Sequence, residues 1–210
     1  MKRFVLAAAI VAFALAPMTT HAQKGWKVRA DRSTNASDPD GAGDIKFMEM
    51  GGGYHAINPT AAVYWNPANT ATGAYTLKAS FKQLKQSGHN NFLGLVFGGS
   101  DLEGPTQAYM YFMVSQDGTW MIKKRAGDGG RANSPTVVAA TPSDAIKKLD
   151  EAGTATNALE VRVSADKIDF VVNGTVVHSM PKGDTKTDGI VGFRVNHLLE
   201  AMVMGFGVTK

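Results

Sequence analysis

Hydrophobic and polar residues alternate with a period of two along most of the chain. The clearest cases are Gly73–Leu84, Leu159–Val163, Lys167–Val172, Gly189–Val195 and Ala201–Val208. Period two places successive side chains on opposite faces of a strand, so each segment predicts a half-buried β-strand. Runs rich in Gly, Asn, Asp and Pro separate them and predict turns. About a dozen short strands at this spacing predict an all-β, two-sheet antiparallel sandwich.

The last of these strands illustrates the assignment of faces. In AMVMGFGV, strict alternation predicts one core-facing set, made of Met202, Met204, Phe206 and Val208.

The segment DFVVNGTVVHSM (Asp169–Met180) predicts a β-hairpin. Asn173 and Gly174 accept the positive φ angles of a type I′ turn between two apolar runs. Alternation places Phe170 toward the core, and His178 lies near the end of the return strand. We therefore interpret this hairpin as scaffold.

One segment departs from the period of two. In TPSDAIKKLDEAG, Ser143 is a candidate N-cap, Ile146 and Leu149 follow at helical spacing, and Gly153 is a candidate end. This pattern predicts one short helix on a connection. The chain shows no internal linker and no low-complexity block, so residues 23–210 are predicted to form a single domain.

The N-terminus has the layout of a secretory signal peptide. Lys2 and Arg3 precede an apolar run from Phe4 to Ala16, and the small residues Thr20 and Ala22 occupy the −3 and −1 positions of a cleavage before Gln23. The run is too short for a resident membrane helix. We expect a signal peptide over residues 1–22, and periplasmic or secreted localisation of a bacterial protein. The chain contains no cysteine, which excludes a lipid anchor on a processed N-terminal cysteine.

Charge and cysteine content exclude several other functions. Loss of Lys2 and Arg3 would reduce 22 basic residues to 20 against 18 acidic ones, a net charge of +2. Only Lys123–Arg125 forms a local basic run, whereas a nucleic-acid footprint requires a continuous basic stripe. We expect neither a nucleic-acid partner nor a membrane anchor, and nothing in the sequence indicates an oligomeric state. Without cysteines, packing must stabilise the fold.

Several stretches together resemble a known architecture. They are AAVYWNPANTATGAYTLKASF (Ala61–Phe81), GLVFGGSDLEGPTQAYMYFMVSQDGTWMIKKRAG (Gly94–Gly127), NALEVRV with IDFVVNGTVV, and DGIVGFRVNH (Asp188–His197). In this order they resemble the concanavalin A-like, laminin-G-type jelly rolls of secreted bacterial proteins. The most similar group lies near the 3-keto-disaccharide hydrolase-like (DUF1080-type) domains. The resemblance implies two antiparallel sheets, one concave, with ligands on the concave face or at its edge loops.

The resemblance does not extend to a catalytic motif. Glucanases of this fold carry an E-x-D-x-x-E strand, and none of the acids Glu49, Glu103, Glu160 and Glu200 begins such a spacing. A G-x-S-x-G elbow is also missing from the sequence. Catalytic residues are therefore left unassigned.

Two neighbouring strands supply candidate ligand-binding residues. In QAYMYFMV, Tyr109 and Tyr111 share one face, and aromatic faces suit the C–H surface of a sugar ring. In GTWMIKKR, Lys123 and Arg125 share a face. The alternative for the tyrosines is core packing with a wetted hydroxyl.

Further candidates come from two other segments. In FRVNH, Arg194 and Asn196 lie on the face opposite Phe193, where they can bind a carboxylate or vicinal hydroxyls, or instead support the structure. In YWNPAN, the Asn-Pro pair predicts a turn that leaves Trp65 at a strand end. Trp65 is either a sugar platform or a lid on the core.

Metal binding is not indicated by local motifs. The candidate histidines are dispersed without H-x-H or H-x-x-x-H pairs: His55, His89, His178 and His197. The polar loop Arg29–Asp44 is a solvated excursion or a ligand-contacting rim. It offers four oxygen ligands without EF-hand spacing: Asp31, Asp38, Asp40 and Asp44. We expect no metal and no cofactor, with a rim calcium and a metal site assembled across strands as the open alternatives.

Three functions are compatible with these observations. The leading hypothesis is an exported, lectin-like module that binds a glycan or another polyhydroxylated small molecule without turnover. The second is an enzyme acting on 3-keto-glycosides, with Arg194 or Lys123 as electrophilic stabiliser and His197 or His55 as base. The third is an envelope interaction domain without a small ligand. Convergence of Tyr111, Arg125 and Arg194 in an open groove would favour a ligand-binding role.

Overall fold

Fourteen β-strands form the regular structure in a computed structural model, which describes residues 25–129 and 133–210. The predicted signal peptide, residues 1–22, lies outside the described residues. Within the described part of the chain, no helix is long and apolar enough to span a membrane. The strands are β1 (Lys27–Ala30), β2 (Lys46–Met50), β3 (Gly53–Asn58), β4 (Ala62–Ala71), β5 (Tyr75–Gln83), β6 (Phe92–Ser100), β7 (Ala108–Ser115), β8 (Thr119–Ala126), β9 (Thr136–Pro142), β10 (Ala155–Val163), β11 (Lys167–Val172), β12 (Thr175–Pro181), β13 (Gly189–Val195) and β14 (Leu199–Thr209).

The strands pair into two sheets of seven. The first sheet has the order β1-β4-β13-β6-β7-β8-β9, and the second has the order β12-β11-β10-β5-β14-β3-β2. Every described pair of neighbouring strands is antiparallel. The prediction of an all-β, two-sheet antiparallel jelly roll is confirmed.

The inner faces of the two sheets enclose one hydrophobic core. Strand β5 shows the predicted alternation, because Tyr75, Leu77 and Phe81 are buried while Lys78 is exposed. Near one end of this core, Phe193 contacts aromatic rings from several elements of the sandwich. The ring-centroid distances from Phe193 are 5.0 Å to Tyr64, 5.3 Å to Trp26, 5.9 Å to Phe206, 6.2 Å to Tyr54 and 6.4 Å to Phe81.

The hairpin between β11 and β12 has the predicted turn. Asn173 (φ 49°) and Gly174 (φ 84°) both adopt positive φ angles, and Val172 pairs with Thr175. His178 lies on the return strand with its ring 5.3 Å from that of Trp120. The hairpin is therefore part of the sandwich wall.

The predicted helix at Ser143 is absent: the described residues 143–153 form turns and irregular structure. One turn closes with the amide of Ile146 donating to the carbonyl of Ser143 over 3.1 Å, and Ile146 is buried. The side chain of Asn157 binds both backbone groups of Lys147, at 2.8 and 3.0 Å. Asn157 thus occupies the backbone N–H and C=O of Lys147, which a helix would use itself. A tertiary contact therefore outweighs the local helical pattern.

Two strand details also differ from prediction. In β14 the buried residues are Ala201 and Val203 rather than Met202 and Met204. A register shift between Met204 and Gly207 changes which alternate positions face the core, since a bulge adds a residue to one strand.

The Asn-Pro pair at 66–67 does not end its strand. Strand β4 continues to Ala71, and its register against β13 shifts between Trp65 and Thr70. Pro67 lies in this irregular stretch, a position that needs no donated ladder hydrogen bond.

Candidate functional site

A second hydrophobic cluster covers the outer face of the first sheet, the face turned away from the second sheet. Strand β7 is buried on both faces because Phe112 and Val114 point into the core while its alternate residues point outward. The outer cluster comprises Val63, Trp65, Val96, Leu102, Tyr109, Tyr111 and Met113.

A cleft of about 840 Å³ lies beside this cluster. Its floor consists of outward-facing residues of β7, β8 and β13, such as Met113, Met121 and Arg194. Its rim consists of connections from distant parts of the chain, including residues 31–35, 89–91 and 134–136. The volume falls within the range of about 300–1,000 Å³ that is typical of ligand pockets.

Two buried arginines share one carboxylate at the floor of the cleft. Asp31 Oδ1 accepts a hydrogen bond from Arg125 over 2.9 Å, and Asp31 Oδ2 accepts one from Arg194 over 2.7 Å. Arg125 also donates to Ser134 Oγ over 2.9 Å. The side chains of Arg125, Arg194 and Asp31 are 4%, 9% and 17% exposed. We call these three residues the arginine–aspartate cluster.

This cluster is electrostatically asymmetric, with two cations and one anion. Burial alone would raise the pKa of Asp31, but the guanidinium groups of Arg194 and Arg125 hold that pKa below its ordinary value. Burial alone would likewise lower the pKa of Arg194, but nearby Tyr109 and Asp31 shift it upward. Asp31 is therefore ionised at neutral pH. Because two arginines, which are permanent cations, share this one carboxylate, a net positive charge lies beneath the cleft.

The two candidate tyrosines support Arg194. Arg194 donates to the hydroxyl of Tyr109 over 3.3 Å and to Asn196 Oδ1 over 3.0 Å. Its guanidinium carbon lies 5.5 Å from the ring centre of Tyr111, a cation–π distance. Burial raises the pKa of Tyr109, partly offset by Arg194. Because Arg194 covers the ring of Tyr111, that ring does not offer the open face expected for sugar stacking.

The structure brings together most of the candidate residues named from the sequence. Five of them line the cleft: Tyr111, Lys123, Arg125, Arg194 and Asn196. Tyr109 lies beneath the lining. Trp65 is only 2% exposed and packs within the outer cluster, because neighbouring side chains cover this face of β4. Trp65 therefore packs in the outer cluster and not over the core between the sheets.

Sequence patterns did not identify every residue of the cleft. Asp31 was a candidate calcium ligand, but here it binds two arginines. The polar loop lies at the rim rather than out in solvent, since Arg32, Asn35 and Asp38 line the cleft. His197, which directly follows the candidate Asn196 in the sequence, also lines the cleft.

The residues proposed for the enzymatic alternative separate into two regions. Arg194, Lys123 and His197 line the same cleft. His55 instead lies on β3 in the second sheet, with its Nε2 atom 3.0 Å from Glu200 Oε1. His55 therefore does not share a site with the other three.

No family model matches the sequence. No curated protein is significantly similar to it in sequence.

Comparison with solved structures reveals the same architecture in other proteins. A carbohydrate binding module, CBM66 from Bacillus subtilis, is 12% identical with a TM-score of 0.58, covering 89% of this chain and 96% of the module. A protein of unknown function with a galectin-like fold, also from Bacillus subtilis, is 16% identical with a TM-score of 0.56, covering 88% and 89%. A putative glycosyl hydrolase from Parabacteroides distasonis is 15% identical with a TM-score of 0.54, covering 88% and 99%.

Sequence identities this low establish a shared fold and not a shared activity. By fold, the chain is a concanavalin A-like, galectin-like jelly-roll β-sandwich.

Proposed function

We propose that the protein binds a carbohydrate in the cleft on the outer face of the first sheet and releases it unchanged. The observation that carries this proposal is the cleft itself, about 840 Å³, with polar and cationic side chains over the arginine–aspartate cluster. A structural neighbour named as a carbohydrate binding module supports it at the level of fold.

Recognition would depend on hydrogen bonds and charge more than on ring stacking. Lys123 and Asn196 are half-buried lining residues, positioned to bind hydroxyl or carboxylate oxygens. The lining also contains more cationic than anionic side chains. The cations are Arg32, Lys123, Arg125 and Arg194, and the anions are Asp31 and Asp38. This balance favours a carbohydrate that carries an acidic group.

The state of Asp31 favours binding over carboxylate-based hydrolysis. Most glycosidases require one carboxylic acid that is protonated near neutral pH and a second carboxylate. Two guanidinium groups lower the pKa of Asp31 and engage both of its oxygens, so Asp31 is a poor proton donor. The cluster instead acts as a stiff, charged support for the cleft.

A pair of neighbouring lysines provides a sharp test of this site. Lys123 lines the cleft, whereas Lys124 is exposed and alternates to the other face of β8. A hydrogen bond to a charged group contributes about 1.5–3 kcal/mol. Lys123→Ala should therefore weaken binding of an acidic oligosaccharide by about tenfold or more, and Lys124→Ala should leave binding unchanged.

The measurement is a screen of neutral and acidic glycans on an array, followed by affinity electrophoresis of both variants. Retention of a glycan by the wild-type protein and by Lys124→Ala, but not by Lys123→Ala, is expected. Absence of binding to every glycan, or equal retention of the two variants, would contradict the proposal.

The second candidate is an enzyme that acts on 3-keto-glycosides. Its support is the presence of Arg194, Lys123 and His197 around one cleft. The test is incubation of purified protein with a 3-keto-disaccharide, with and without divalent metal ions, followed by product analysis. Substrate consumption that His197→Ala abolishes would favour the enzyme, whereas unchanged substrate under both conditions would contradict it.

Export through residues 1–22 is a separate proposal, based on the composition of that segment. Expression in a bacterial host and N-terminal sequencing of the periplasmic fraction test it. A mature chain that begins at Gln23 is expected, and retention of the complete chain in the cytoplasm would contradict export.

A further inference from the structure

Three connections at one end of the sandwich bring two histidines and an aspartate together. Asp38 belongs to the β1–β2 connection, His89 to the β5–β6 connection, and His197 to the turn between β13 and β14. The Nε2 atoms of the two histidines are 3.0 Å apart. Asp38 Oδ1 lies 3.0 Å from His89 Nε2 and 3.1 Å from His197 Nε2. We call this the histidine–aspartate triangle.

Hydrogen bonding alone does not satisfy all three sides of this triangle. If both Nε2 atoms carry protons, both donate to Asp38, but two N–H groups then face each other across 3.0 Å. If only one Nε2 atom carries a proton, the lone pair of the other Nε2 atom faces Asp38 Oδ1 across 3.0 or 3.1 Å, and the two lone pairs repel. A cation near the centre satisfies all three contacts at once, because each atom then offers it a lone pair.

A second carboxylate orients one of the histidines. Asp40 Oδ1 lies 3.3 Å from His197 Nδ1. A proton on Nδ1 donated to Asp40 leaves the Nε2 lone pair of His197 pointing into the triangle. Histidines that bind metals commonly donate their other ring N–H to a carboxylate in this way.

The connections that carry the triangle are held by their own contacts. Gln116 binds the backbone of the His89 loop, donating to Ser87 O over 3.0 Å and accepting from Ser87 N over 2.9 Å. A Cβ atom on Gly41 would lie 2.7 Å from Leu198 Cδ2, so Gly41 allows the Asp38–Asp40 segment to approach the His197 turn closely. These contacts hold the backbone segments that carry the triangle.

The amide of Asn91 also approaches the triangle. Its Nδ2 atom lies 3.0 Å from His89 Nε2 and 3.3 Å from the hydroxyl of Ser87. When His89 directs its lone pair to a cation, Asn91 retains the hydroxyl of Ser87 as a partner.

We propose that Asp38, His89 and His197 bind one divalent transition-metal ion of the zinc class. Two imidazoles and one carboxylate are typical ligands of zinc and other first-row metals, whereas calcium prefers six to eight oxygens. Ligands placed about 2.0–2.1 Å from a tetrahedral zinc lie roughly 3.3 Å apart, close to the distances in the triangle. This proposal departs from the expectation of no metal, which rested on the absence of local ligand pairs.

Three protein ligands leave an open coordination position on the ion. All three residues line the cleft, so this position is accessible from the cleft. The metal site does not depend on the proposed carbohydrate binding. If the protein binds both the metal ion and a carbohydrate, the open coordination position would accept a hydroxyl or carboxylate oxygen of the carbohydrate.

The experiment measures metal binding to untagged protein that has first been stripped with a chelator. Titration with Zn²⁺ by calorimetry should show one site per chain. Addition of Co²⁺ should produce the visible absorption of Co²⁺ coordinated by nitrogen and oxygen ligands. His89→Ala should abolish both signals. Because the His89 side chain is 43% exposed, the variant should keep the fold, which circular dichroism checks. Asp40→Asn should weaken Zn²⁺ affinity by about 10–100-fold.

Asp44→Asn is the matched control, since Asp44 is an exposed aspartate of the same connection outside the triangle. It should bind Zn²⁺ as the wild-type protein does. Absence of Zn²⁺ and Co²⁺ binding by folded wild-type protein, unchanged binding by His89→Ala, or binding of Ca²⁺ alone would each overturn the proposal. A zinc-binding protein that retains no glycan would contradict only the proposed function.

Discussion

At the scale of the residue, the arginine–aspartate cluster was only partly predictable from the sequence. Alternation placed Arg125 on the same face as Lys123 and Arg194 on the face opposite Phe193, because side-chain direction in a strand is a local property. Nothing local pairs either of them with Asp31, which is 94 residues from Arg125 and 163 from Arg194. The sequence therefore predicted two cations for the cleft but not the carboxylate between them.

Asp31→Asn should destabilise the fold by about 3–5 kcal/mol at pH 7, because it leaves two buried cations without their counter-charge. The pKa of Asp31 is lower in the folded protein than in the unfolded chain. Its stabilising contribution is therefore complete above the unfolded pKa of about 3.9, and is lost as pH falls through the folded pKa. Urea unfolding of the wild-type protein and the variant between pH 7 and pH 2 measures the difference.

That difference should stay constant from neutral pH to about pH 5 and shrink below about pH 4. Asp44→Asn, at an exposed position, should change the free energy of unfolding by less than about 0.5 kcal/mol. A difference between wild type and Asp31→Asn that grows toward low pH would contradict the charge arrangement described for this cluster.

At the scale of the element, turn chemistry was predictable while bulges and side-chain competition were not. The turn at Asn173-Gly174 was predictable because these two residues by themselves favour the positive φ angles that it requires. The bulge in β14 arises from pairing with another strand and changes which of its residues face the core. The segment after Ser143 does not form the predicted helix, because the side chain of Asn157 on β10 binds the backbone of Lys147.

Gly174→Ala should cost about 1–2 kcal/mol of stability, since a residue with a Cβ is strained at φ 84°. Nothing lies within 4 Å of the added Cβ, so the cost is conformational and not steric. Thermal and denaturant unfolding measure it. Gly207→Ala is the control, because Gly207 also has open space but no positive φ. Equal stability of the two variants would contradict the turn assignment.

At the scale of the whole molecule, Phe193 connects the two sheets. It lies on β13 of the first sheet and contacts the ring of Phe81 on β5 of the second. Tyr54 and Phe206, on two further strands of the second sheet, also lie against it. Removal of this ring would open a cavity between the sheets, where the surrounding rings relax only partly.

Phe193→Ala should therefore destabilise the protein by about 3–5 kcal/mol. Phe92→Ala removes an equal side chain that is half-buried at the edge of the cleft, and should cost clearly less. Denaturant unfolding of both variants, followed by tryptophan fluorescence, tests the ranking. An equal loss in both would contradict the position of Phe193 as a contact between the sheets.

Local sequence patterns predicted the β-strand content, the sandwich architecture, the hairpin at Asn173 and the side chains that share a face on the strands carrying Tyr111, Lys123 and Arg194. These features depend on alternation and turn chemistry, which act between residues close in the chain. Local patterns did not predict which loops border the cleft, which carboxylate joins the two arginines, or that Asp38, His89 and His197 meet. Those features depend on contacts between distant segments, which strand order and register bring together and no local pattern encodes.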